Sequence, residues 1–316
     1  MIKLDGALVL LQWSTGGLFF LWVTTRHRLV GLGYGWLLRC TYAIIAAGAA
    51  ATSWFTERVI VRDVASAAVA VTALGAFAVS FRRRKAGVAR QREEAARKQE
   101  RVAAMTGAGT VAATAETTAD GGPATAVMQM RDQFGRASET VERHVSDGPE
   151  FPPILDLVAP AIGLIGLIAG GWAAAPNGGG DGALSIARTI VGALFLGAVS
   201  DAMLLGHWYL VQPGLSRKPI GEINDWLLRL WPVEVALLLV PTGMISVING
   251  SISDSYGGML GWFWIGCALM TGGLAFTTRI VLRERFYSAV MAATGMLYLA
   301  ILTAFGTDLV ARAVLA

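Results

Sequence analysis

Apolar runs of about 20 residues recur along the chain, separated by short clusters of charged and glycine-rich positions. A run of that length, if helical, crosses a hydrocarbon core about 30 Å thick. Three such runs lie in residues 1–81: Gly6–Thr24, Leu37–Phe55 and Val64–Phe81. The second follows a glycine-rich approach, Gly31 to Gly35, expected to lie along the membrane interface. Five more fall in residues 151–316, at Ile154–Ala174, Thr189–Val211, Asp225–Ile248, Met259–Leu282 and Tyr287–Leu309. Backbone polar groups in lipid must be satisfied within the segment, so these runs predict an all-α polytopic membrane bundle of about eight transmembrane helices.

Residues 82–150 interrupt the pattern. They open on the abrupt basic stop Arg82-Arg83-Arg84-Lys85, and Arg90 to Arg101 read as a charged helix continuing the third span. Residues 104–126 hold glycine, alanine and threonine with almost no large side chain, which predicts a flexible linker. Val127, Met130, Phe134, Ala137 and Val141 then recur at spacings of three and four, one face of an amphipathic helix in need of a surface. Residues 127–145 are therefore a candidate cytoplasmic docking segment for a partner. Pro152-Pro153 closes the insert.

Charge sets the orientation. With residues 82–150 inside, 21 of the 26 Lys and Arg residues fall on the inner side, and omitting that segment leaves 9 against 5. The positive-inside rule then places both the N-terminus and the C-terminus outside. Lys3 followed by Asp5, with no small-residue cleavage pattern after the apolar run, marks the first span as retained rather than a removable leader. Arginine outnumbers lysine 22 to 4 beside abundant alanine, a composition suggesting a high-GC bacterium and hence a multi-pass protein of the bacterial inner membrane.

Composition agrees with the pattern. Apolar residues make up 54% of the chain and charged ones 15%, against roughly 25% charged in a soluble domain. The formal charge of +4 sits beside the spans rather than on an aromatic-interleaved basic stripe, so nucleic acid is not an expected partner. Cys40 and Cys267 both fall within apolar spans, as packing residues rather than a disulfide or metal set.

An ionisable group in lipid is costly and needs a reason. Asp201 lies about ten residues before the inner end of the fifth span, and Glu234 about nine residues into the sixth, so both are ~15 Å deep at ~1.5 Å per residue. Matching depth on consecutive antiparallel helices suggests a carboxyl pair sharing a proton or cation, with Ser200 as a polar neighbour. Pro232 removes a backbone donor two residues before Glu234 and predicts a local polar gap. His207, beside the interfacial Trp208 and Tyr209, is a second candidate for proton transfer or ligand lining. With His27 it could bracket a b-type haem at the inner surface, although haem histidines usually lie deeper.

The remaining intramembrane charges have plainer expectations. Asp308 and Arg312 form an i,i+4 pair near the outer end of the last helix, Arg188 and Arg279 snorkel from helix ends, and Asp156 pairs with a neighbouring arginine. Gly163, Gly166 and Gly170, and Gly272-Gly273, are spaced for close helix contacts. The phosphate-loop, His-Glu-x-x-His, Cys-x-x-Cys-His and Gly-x-Ser-x-Gly motifs are absent. No metal site and no catalytic residue is therefore expected, and no cofactor is specified. The leading expectation is a non-enzymatic membrane protein that handles a proton or small solute through Asp201, Glu234 and His207. The alternatives are a subunit of a quinone- or haem-linked redox assembly and a structural subunit of a membrane complex.

Overall fold

The structure is a computed structural model that describes residues 5–84, 151–175, 179–211, 215–239, 243–254, 256–284 and 286–315. The charged helix, linker and amphipathic helix expected between residues 85 and 150 lie outside them, as does His144. The described chain is helical, with no strand. The elements are α1 (Gly6–Thr25), α2 (Leu32–Thr52), α3 (Ile60–Arg82), a 3-10 turn (Pro153–Leu157), α4 (Val158–Ala173), α5 (Gly179–Val211), α6 (Lys218–Leu239), α7 (Met244–Ile248), α8 (Met259–Val281) and α9 (Tyr287–Val314). Residues 1–78 and 153–316 form one compact unit, so helices from both sides of the insert share a core.

Among the described residues six helices are long and apolar enough to cross a membrane: α1, α3, α5, α8, α9, and α4 together with its leading turn. The remaining long helices are α2, which runs between the two ends of the bundle, and α6. At one end α2 begins beside the turn before α4, where Arg39 binds Asp156, and α6 begins beside the end of α1, where Arg26 binds Glu222. At the other end Gly6 lies 3.4 Å, from its would-be Cβ, from the Thr52 methyl that closes α2. What dilutes α6 is charge: Lys218, Glu222, Asp225, Arg229 and Glu234.

Three boundaries differ from the sequence pattern. Helix α2 begins at Leu32, so the glycine-rich approach is already helical. Helix α5 begins at Gly179 within the glycine run expected to be a connection, and reaches 33 residues. The sixth run is divided into α6 and the short α7.

α1 and α5 are the axis of the bundle. Both are apolar around most of their circumference and largely buried, as expected of helices ringed by others. They meet at backbone level: a Cβ on Gly16 would fall 1.7 Å from the Ala193 carbonyl oxygen, and one on Gly197 would fall 2.2 Å from the Gly16 carbonyl carbon. Gly163, Gly166 and Gly170 admit Thr15, Leu11 and Leu8 of α1 against α4, and Gly272 admits the Trp231 ring against α8. The small-residue contacts expected of these glycines are thus present, except at Gly273, whose Cβ would meet nothing within 4 Å. Outward faces carry large apolar side chains, among them Val64 and Val71 of α3, Phe263 and Phe276 of α8 and Leu302 of α9.

The ends are laced with ion pairs. At one, Arg39 holds both oxygens of Asp156 at 2.7 Å, Arg26 binds Glu222, Arg279 lies 3.3 Å from Asp225, and Arg217 donates to the Phe286 carbonyl at 2.9 Å. At the other, buried Arg62 binds Asp5 and Asp63 and the Glu57 carbonyl, tying α3 to the start of α1. Asp254, in the loop before α8, accepts backbone N–H groups of Gly258, Tyr256 and Leu260. The Gly258 N–H, then the others, holds its carboxyl below the usual range. Gly258 itself sits at φ +86°, where a side chain would be strained.

Candidate functional site

The deepest concentration of charge lies where α1, α5, α6 and α9 meet. Glu234, Asp308 and Arg312 are 0% exposed, Arg188 is 2% exposed and the neutral Gln12 is 0% exposed. The charges acting on Glu234 are those of Asp308, Arg312 and Arg188. Two arginines and two carboxylates therefore share one buried space in which an unpaired charge would be costly.

Each wall has a local cause. Asp308 and Arg312 are one turn apart on α9, and Arg312 Nε donates to both Asp308 oxygens at 3.0 and 2.8 Å. Gly192 of α5 leaves room for them: its Cβ would lie 2.9 Å from Gln12 Nε2, 3.2 Å from Asp308 Oδ1 and 3.5 Å from Arg312 Nη2. Gln12 Nε2 is anchored on the Thr189 carbonyl at 2.8 Å. Arg188 Nε donates at 2.8 Å to the Leu237 carbonyl, in the last turn of α6, whose carbonyls lack intrahelical partners. Arg188 is therefore turned into the bundle instead of snorkelling outward. The guanidinium holds the α6 terminus against α5, about five residues beyond Glu234.

Several polar atoms of this cluster have no hydrogen-bond partner among the described residues: both Glu234 oxygens, Arg312 Nη1 and Nη2, and Gln12 Oε1. Buried polar groups are nearly always satisfied, so donors and acceptors left open in one interface need a reason.

Asp201 lies elsewhere. It is fully buried on α5, about thirteen residues from Arg188, or ~20 Å along the helix. Its Oδ1 accepts from Tyr42 Oη of α2, its Oδ2 has no partner, and Tyr34 Oη lies 3.5 Å from its backbone carbonyl. A Cβ on Gly17 would fall 2.0 Å from the Tyr42 ring, so that bare position of α1 is what lets Tyr42 cross to Asp201.

The structure therefore does not bring Asp201 and Glu234 together as a pair. Their depths match only for a sixth helix that starts at Asp225. It starts at Lys218, so Glu234 is about sixteen residues in, or ~24 Å, against ~15 Å for Asp201. Ser200 is not a partner of Asp201; its hydroxyl accepts from Trp13 Nε1 at 2.8 Å. His207 is exposed and meets Tyr298 Oη at 3.3 Å through Nδ1, while His27 accepts from Arg26 Nε at 3.0 Å. Trp208 packs against Tyr34, with ring centroids 6.0 Å apart, and buried Tyr209 donates to the Ser216 carbonyl. Asp156 has the arginine expected for it, Arg39. Among the described residues no group of three His, Cys, Asp or Glu is placed to hold a metal ion.

Sequence reasoning assigned Asp308 and Arg312 to a helix-end pair and Arg188 to snorkelling, and so missed the cluster. The available signal was the coincidence of Gln12, Arg188, Glu234 and Asp308 near one end of four helices. Helix rotation, which decides whether they meet, is not written in any one segment.

Fold and site together define a helical membrane bundle with an ionisable interior. Compared with protein-family models, curated proteins and solved structures, the chain matches none.

Proposed function

We propose that this chain is a multi-pass membrane protein that handles a proton or a small solute through carboxyl groups buried in its bundle. Glu234 carries the reading: it is fully buried, faces two arginines and a second carboxylate, and has no hydrogen-bond partner on either oxygen. A carboxyl kept for packing has a fixed partner, as Asp156 has in Arg39. Asp201, with one open oxygen, is a second station about 9 Å apart in depth by the helix rise. The arginine-rich composition favours a bacterial inner membrane, and the charge asymmetry favours residues 82–150 on the cytoplasmic side with both termini outside.

The test is proton flux in proteoliposomes carrying a trapped pH-sensitive dye, with Na⁺, K⁺ or Cl⁻ gradients imposed in turn. Wild-type protein should dissipate a pH gradient faster than protein-free vesicles. Glu234→Gln should slow it by roughly 10²-fold, the scale of removing a proton-transfer group. Wild-type vesicles indistinguishable from protein-free ones for the proton and all three ions would end this reading.

A further inference from the structure

We infer that Glu234 takes up and releases a proton and that Arg312 is a counter-ion shared between Glu234 and Asp308. This rests on the function proposed above and narrows its cargo to the proton at this site.

The geometry of Arg312 is the starting point. It engages Asp308 through Nε alone, while Nη1 and Nη2, the fork end of the guanidinium, are buried without a partner. An arginine committed to a single carboxylate ordinarily gives it two parallel N–H bonds from two nitrogens, as Arg39 gives Asp156 from Nε and Nη2. Arg312 instead keeps its strongest donors open in the cluster where both Glu234 oxygens lack a donor. Arg312 thus keeps two donors unspent, and its charge acts on Glu234.

The other groups around Glu234 do not replace it. From α5 comes Arg188, on which the charge of Glu234 acts before that of Asp181 and whose Nε is spent on the Leu237 carbonyl, which ties it to the end of α6. From α9 come only Asp308 and Arg312. Gln12 of α1 is neutral and α7 carries no charged residue. On α8 the sulfur of Cys267 lies against Gly306 of α9, two residues before Asp308.

An ionised Glu234 draws the Arg312 fork toward itself. When a proton from water bonds to one Glu234 oxygen, the attraction is lost and the guanidinium remains with Asp308. Arg312 stays cationic throughout, one O–H bond forms on uptake and breaks on release, and only hydrogen bonds change hands. Glu234 stands on α6 and the other two on α9, so the proton changes the attraction between two helices.

Infrared difference spectroscopy of the purified, full-length protein in detergent, titrated from alkaline to acid pH, tests this without any transport assay. The wild type should develop a protonated-carboxyl C=O band that is absent in Glu234→Gln. Asp308→Asn, which removes the competitor and a repelling charge, should keep that band with its midpoint at more acidic pH. If Glu234→Gln is not recovered as a monodisperse protein, Glu234→Asp serves, with a displaced midpoint expected. A Glu234→Gln spectrum that keeps every C=O band of the wild type, or a midpoint unmoved by Asp308→Asn or Glu234→Asp, overturns the inference. So does a wild type without a titrating band, and that result leaves small-solute flux standing. A titrating band without flux would instead sink the function proposed above.

Discussion

Glycines set how closely the charged residues of this bundle are approached. Gly17 is bare so that the Tyr42 ring can lie across α1 and reach Asp201, and Gly192 is bare so that Gln12 and Asp308 can converge on α5. Gly17→Ala should displace the Tyr42 ring and lower stability by about 1–3 kcal/mol, the usual cost of overpacking, in thermal unfolding in mild detergent. Tyr42→Phe should cost about the same by leaving Asp201 Oδ1 without its donor. A Gly17→Ala protein that melts with the wild type would mean that Tyr42 does not depend on that gap. At this scale the sequence was informative about identity and silent about rotation. Asp201 and Glu234 stood out as ionisable groups in apolar runs, yet their partners are on helices far away in sequence. The bland i,i+4 spacing of Asp308 and Arg312 concealed that both are fully buried.

Helices were largely legible, because about 20 apolar residues between charge clusters have few alternatives in lipid. Their ends were less so. Gly179 to Gly182 read as a loop from low helix propensity, but tertiary packing overrides a weak local preference, and Gly182 lies against the Trp172 ring. The start of α6 differs because Lys218 and Glu222 look like a connection, whereas Glu222 is spent on Arg26. The best-defined contact between elements is Arg39 with Asp156, where both side chains are at most 4% exposed. Arg39→Leu alone should destabilise the protein by about 3–5 kcal/mol by stranding a buried carboxylate, and adding Asp156→Leu should recover much of that loss. The measurement is a double-mutant cycle on thermal or denaturant unfolding. Additive losses would show that the pair is not coupled.

Over the whole molecule, helices from residues 5–78 and 153–315 belong to one unit although a long hydrophilic stretch separates them in the chain. Charge asymmetry made the orientation a sequence-level expectation, and the structure groups Arg26, Arg39, Arg217 and Arg279 at one end. In sealed cells, with Cys40 and Cys267 first replaced by alanine, a membrane-impermeant maleimide should label a cysteine at Ser253 and spare one at Thr117. The reverse pattern would invert the topology. What single-sequence reading could not supply is the assembly of four helix faces into one charged space, which depends on contacts between residues as distant as Gln12 and Thr189. The Gly16–Gly197 crossing bears on how such a space could work. Two helices touching through their backbones have no layer of side chains to slide on, so α1 and α5 behave mechanically as a single post. Gln12, Arg188 and Thr189 are fixed to that post, and Glu234 stands on a helix that ends five residues later. A stroke that trades one salt link for another would then shift α6 or α9 against that axle, with the Leu237 carbonyl, held by Arg188, as the point where α6 is hinged to it.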